Sequence, residues 1–154
     1  QKMTNILKHC RNHLLNMTFL LVSEQAYYNH ISGVYDTRFP DTPPNPFNYT
    51  GDSEATFSEL ETRVRVLEFG QSVQIVFQGT ASLQFESHPI HLHGQNFYIV
   101  GSGFGNYNAS SDPASFNLRN PPSRNTVSVP SGGWAAVRFS TTNPGITPAR
   151  AHIL

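Results

Sequence analysis

The apolar positions of this chain fall in short runs with a period of two. Val73, Ile75 and Phe77 alternate with Ser72, Gln74 and Gln78, as in a strand with one buried face. Thr62 to Phe69 reads as the strand before it, and Gly70-Gln71 fits a two-residue hairpin loop with glycine first. Met17 to Val22 reads as a short buried strand, and Ala81 to Phe85 leads into a histidine tract. The strand carrying those histidines is expected to continue through Phe97, Ile99 and Val100 to a Gly-Ser-Gly break at 101–103.

Phe104 to Pro122 reads as a long loop, with Asp112-Pro113 offering an N-cap and first-turn proline for one brief helical turn. Thr126 to Val129 is a strand ended by Pro130, and Ser131-Gly132-Gly133 is a turn. Trp134 to Thr141 alternates Ala135, Val137 and Phe139 against Ala136, Arg138 and Ser140. Tyr27 to Asn45 is extended or looped, and the prolines from Pro40 to Pro46 make a stiff connector. Short strands separated by turn signals predict an all-β, Greek-key β-sandwich.

Composition agrees. At 154 residues the chain has the size of one domain. Lys plus Arg equals Asp plus Glu at 10 each, and no basic stripe marks a nucleic-acid or anionic-membrane partner. Apolar runs such as Phe19-Leu20-Leu21-Val22 are too short to span a bilayer. Cys10 is the single cysteine, so no disulfide forms within the chain. Asn16, Asn48 and Asn108 each open a glycosylation sequon, which favours secretion weakly. No signal-peptide pattern precedes the fold, and the chain reads as part of a longer product.

The candidate chemistry sits in His88-Pro89-Ile90-His91-Leu92-His93-Gly94. In an extended chain His91 and His93 share one face, about 6–7 Å apart, while His88 points the other way. One short segment can then serve two metal centres. Neutral imidazole suits copper, zinc, iron and nickel, so the spacing alone does not name the metal. A cupin would carry a glutamate soon after the pair, and a metallo-hydrolase of the H-x-H-x-D-H type an Asp-His. Gly94, Gln95, Asn96 and Phe97 stand there instead.

With its neighbours, this tract resembles the third, C-terminal cupredoxin (plastocyanin-like) domain of a plant laccase, a multicopper oxidase. The resemblance rests on Ser32-Gly33-Val34-Tyr35, Pro46 to Gly51, Glu86 to Gly94, Gly101 to Asn106, and Phe116-Asn117-Leu118. It continues in Arg124 to Val127, Val129 to Trp134 and Asn143-Pro144-Gly145. Tracts 103–106 and 130–134 favour laccase over an ascorbate or metal-ion oxidase. The domain is expected over 16–145, between an unplaced leader, 1–15, and a divergent tail, 146–154.

The resemblance implies a copper cofactor, with His88 a ligand of the blue site and His91 and His93 ligands of the trinuclear cluster. It implies secretion to the apoplast and one-electron oxidation of phenols, such as lignin precursors, coupled to four-electron reduction of O2 to water. The first cupredoxin domain, which completes that cluster with further His-x-His pairs, and the second are expected to lie outside this chain. After Gly145 the family continues into a His-Cys-His strand, whereas here the chain reads Ile146-Thr147-Pro148-Ala149-Arg150-Ala151-His152-Ile153-Leu154. His152 lacks the flanking cysteine, and Cys10 stands at the wrong end to replace it. No complete catalytic set is expected, and the sandwich is expected to be incomplete at its C-terminal strand, with bare edges beside it. A non-catalytic cupredoxin remnant is the alternative for this polypeptide. His9, Cys10 and His13 form a soft-metal grouping on paper, but an unrelated leader is the simpler reading.

Overall fold

In this computed structural model the residues described are 2–7, 65–79 and 87–151. Among them are nine strands: β1 Lys2–Leu7, β2 Arg65–Glu68, β3 Ser72–Gln78, β4 His88–Leu92, β5 Phe97–Phe104, β6 Ser123–Arg124, β7 Thr126–Val129, β8 Gly133–Ser140 and β9 Ile146–Ala151. They form a five-stranded sheet, β2-β1-β9-β4-β7, and a four-stranded sheet, β3-β8-β5-β6. All pairings are antiparallel except β1 with β9.

The core lies between the sheets. Leu67, Ile90, Leu92, Val127 and Val129 from the first meet Phe97, Ala135, Val137 and Phe139 from the second. Two sheets sharing one apolar core are the expected β-sandwich, of cupredoxin type.

The strand positions are close to expectation; the connections are not. β2 and β3 belong to different sheets, so Gly70-Gln71 is a corner and not a hairpin loop. Thr141, fully buried, braces that corner: its hydroxyl donates to the Glu68 carbonyl at 2.6 Å and accepts from the Gln71 N–H at 2.7 Å. Likewise β4 ends at Leu92, and a turn through His93 and Gly94 carries the chain across to β5 in the other sheet. The Gly-Ser-Gly at 101–103 does not break β5.

Those glycines make room for rings. A Cβ on Gly101 would stand 2.7 Å from Phe116, and one on Gly103 would stand 2.9 Å from Trp134. Val100, Phe116, Trp134 and Ala136 form a second apolar cluster, with Tyr107 packed against it. The long loop supplies Tyr107 and Phe116, which explains why β8 is buried on both faces. Within that loop one 3-10 turn spans Asp112–Ser115; its N-cap is Ser111, one residue before the expected cap.

Both ends of the chain enter the first sheet. Lys2–Leu7, within the segment read as an unplaced leader, pairs with β2 and β9. Bare edges are expected on the strands beside the C-terminal one; β4 has none on that side, because β9 lies there: Ile90 faces Ala151, His91 faces Arg150 and Leu92 faces Ala149. Pro148 stands opposite Ile6 of β1, before the pairing with β4 begins, so its missing N–H falls outside the β4 ladder. The expected strands at 17–22 and 81–85 and the proline connector lie outside the described residues.

Candidate metal centre

The site is built on β4, which is flanked on both sides, by β7 and β9. Ile90 and Leu92 point into the core, which fixes the strand's rotation. Alternation then turns His91 to the opposite face, while His88 shares the parity of Ile90 and Leu92 and is half-buried. His93 lies past the strand end, in the turn.

That turn brings the two later rings together. Their centroids are 4.8 Å apart and the planes meet at 62°, a contact made by the turn and not by straight extension of the strand. Gly94 has φ +69°, a left-handed conformation that glycine adopts without strain. Its carbonyl accepts from Asn143 Nδ2 at 2.8 Å, and a Cβ on Gly94 would meet that same nitrogen at 2.8 Å.

Asn125 sets the chemistry of His91. Its backbone carbonyl lies 2.7 Å from His91 Nδ1 and also accepts from the Leu92 N–H. A carbonyl only accepts, so Nδ1 carries the proton, and in the neutral ring Nε2 carries the lone pair. Tying down one ring nitrogen in this way orients a metal-binding histidine. Two adjacent imidazoles, one held in this tautomer, fit copper. Among the described residues no group of three or more His, Cys, Asp or Glu comes together. His88 therefore stands apart from the His91–His93 pair.

A cavity of about 220 Å³ opens beside His91, lined by Leu92, Gly94, Gln95, Asn96 and Asn125 as well. The part played by the Asn125 carbonyl, 34 positions from His91, escaped sequence reasoning. Asn108 is exposed, and its Oδ1 accepts from the Ser110 N–H at 2.9 Å. Asn16, Asn48, His9, Cys10, His13 and His152 lie outside the described residues. No helix among the described residues is long and apolar enough to cross a membrane.

Residues 38–154 match the family profile described as multicopper oxidase. The chain belongs to the multicopper oxidase family. Copper is the cofactor this membership implies, and the imidazole pair suits it. The chain is 47% identical to Laccase-11 of Arabidopsis thaliana over 143 residues, covering 90% of this chain and 26% of that protein. Laccase-14 of the same plant is 49% identical over 129 residues, covering 84% of this chain and 23% of that protein. Laccase-24 of Oryza sativa subsp. japonica is 47% identical over 144 residues, covering 90% and 24%. This multicopper oxidase chain thus spans about a quarter of the length of the relatives it matches. A solved laccase from Botrytis aclada is 39% identical, with a TM-score of 0.43, over 48% of this chain and 14% of that one.

Proposed function

We propose that this chain carries part of the copper-binding apparatus of a laccase-type oxidase. His91 and His93 are two imidazole ligands of the oxygen-reducing trinuclear centre, and His88 is one ligand of a separate blue site. One observation carries the reading: Ile90 and Leu92 of β4 are buried in the core, so that strand alternation sets His88 on their side and His91 on the other, and the His91 and His93 rings meet at 4.8 Å.

Copper, when bound, supplies the one-electron chemistry that couples oxidation of a small phenol to reduction of dioxygen to water. The chain's own part is positioning. The Asn125 carbonyl keeps the proton of His91 on Nδ1 and leaves Nε2 as donor. Ile90 and Leu92 lock β4 into the core, and the Gly94 turn, held by Asn143, brings His93 beside His91. The phenolic substrate class and an extracellular location rest on likeness to the laccases. The exposed turn at Asn108 suits a glycosylated, secreted protein and supports that location.

A second reading, a cupredoxin domain that does not turn over by itself, is favoured by Ile146–Ala151, which carries neither cysteine nor histidine where the likeness to laccases leads one to expect a His-Cys-His strand. For the isolated chain this is the reading we adopt. Copper(II) titration followed by EPR tests the ligand assignment. The native chain should take up copper; His91→Ala and His93→Ala should each lose the signal of the paired site, and His88→Ala should keep it. Undiminished uptake by the His91/His93 double variant would refute the assignment. In an oxygen electrode the copper-loaded chain with a phenol should show no sustained oxygen uptake; steady uptake would overturn the non-catalytic reading.

A further inference from the structure

Among the described residues β3 is an outer strand, bonded to β8 and to no other strand. Backbone bonds at its two ends fix which groups face outward. The Gly79 N–H donates to the Gly133 carbonyl at 2.8 Å, and the Thr141 N–H to the Gln71 carbonyl at 2.9 Å. An antiparallel ladder bonds every second residue, so Gln71, Val73, Ile75, Phe77 and Gly79 bond to β8. Ser72, Gln74, Val76 and Gln78 turn their N–H and carbonyl groups to the other side. Edge strands are ordinarily blunted by charge, proline or short length. β2 carries Arg65 and Glu68, β6 is 2 residues long with Arg124, and β7 is 4 residues long. β3 runs for 7 residues with no charge, proline or glycine. Its core-facing Val73, Ile75 and Phe77 are only partly buried, and Ser72 and Gln74 are exposed.

We propose that β3 is a docking edge for a second copy of this chain, the two β3 strands pairing antiparallel about a two-fold axis at Ile75. The strand is its own complement in that register. Ser72 stands opposite Gln78 and Gln74 opposite Val76, so outward-bonding residues meet each other and the ladder continues across the axis. Val73 stands opposite Phe77 and Ile75 opposite itself, at the non-hydrogen-bonded positions where side chains come closest. A β-branched residue against an aromatic one is a favourable cross-strand pair, and it covers apolar surface that one copy leaves half-open. No like charges meet along the strand, and the whole chain has a formal net charge of zero. Each copy occupies the other's free edge, so the assembly closes at two chains. One added strand pair is a small interface, which makes the dimer weak and reversible.

Sedimentation equilibrium of the full chain from about 10 to 500 μM tests this, in reducing buffer that keeps Cys10 from cross-linking copies. The mean mass should rise from one chain toward two and level there. A single-chain mass at every concentration, or growth past two, would overturn the inference. Over the same range the amide proton signals of Ser72, Gln74, Val76 and Gln78 should move as the dimer forms. Those of Val73, Ile75 and Phe77, already bonded to β8, should hold still; the opposite pattern sinks the proposed register. Gln74→Pro removes one outward N–H and leaves the bonds to β8, a substitution that edge strands accept. It should weaken association about tenfold or more, with the near-ultraviolet dichroism of Trp134 retained. Gln74→Ala keeps the N–H and should stay within about threefold of the native chain. A folded Gln74→Pro variant that associates at native strength counts against the proposal; if that variant does not fold, the amide signals decide it.

Discussion

At the scale of single residues, much of this fold depends on side chains that satisfy backbone groups at corners. Thr141 is the clearest case. Its hydroxyl serves the Glu68 carbonyl and the Gln71 N–H, while its own backbone exchanges bonds with Gly70 and Gln71. Thr141→Val keeps the shape and removes the hydroxyl, which takes the short bonds from the Glu68 carbonyl and the Gln71 N–H and leaves their long mutual contact of 3.4 Å. We expect a loss of about 1–3 kcal/mol, read as a lower urea midpoint at unchanged slope; Thr141→Ser should recover most of it. The same corner shows why local reading erred. Gly70-Gln71 has the composition of a hairpin loop, but the residue that decides its role is 70 positions away. His91 and Asn125 repeat the lesson at the site. The imidazole was legible from spacing, and the carbonyl that selects its tautomer, 34 positions on, was not.

At the scale of elements, strand periodicity located β3 and β7 to the residue, because alternation is a property of the strand itself. It was silent on partners and on glycine. In a strand, glycine marks either a break or a close approach, and only the ring packed over it tells which. Trp134 lies over Gly103, held edge-on by Tyr107 at 5.1 Å between centroids and tilted against Phe116 at 6.1 Å. The Arg138 guanidinium sits 5.8 Å from the Phe116 ring centroid and donates to Gln74 Oε1, which closes the cluster. Gly103→Ala sets two effects against each other. Loss of chain entropy in the unfolded state favours alanine by about 0.4–1 kcal/mol, and overpacking opposes it by about 1–3 kcal/mol. The indole is boxed in and cannot retreat, so overpacking should win. Trp134 is the only tryptophan, so its emission maximum and near-ultraviolet dichroism should change together with a lowered urea midpoint. An unchanged spectrum with raised stability would show that the ring yields.

At the scale of the whole molecule, β9 occupies the middle of the five-stranded sheet, with β1 on one side and β4 on the other. The sheet is therefore closed by strands from opposite ends of the chain, a pairing of very high sequence separation that forms late and slowly. The fold class was legible because turn-bounded alternation recurs along the chain. The central place of residues 146–151 was not, because a strand's neighbours are set by the sheet and not by its own residues. A chain ended after Gly145 should split this sheet into β2-β1 and β4-β7, baring two edges at once. Unpaired edges recruit other chains, and the shortened chain, which loses Arg150 from a protein of 10 Lys plus Arg and 10 Asp plus Glu and so carries a formal net charge of only −1, has little electrostatic repulsion to oppose that at neutral pH. Size-exclusion at pH 7 should show the shortened chain as larger species, receding as pH moves away from 7 in low salt. Its thermal transition should broaden, since two half-sheets no longer unfold as one unit. A monomer that melts as sharply and as high as the full chain would mean that β9 contributes no sheet-closing energy, and that β1 and β4 find each other without it.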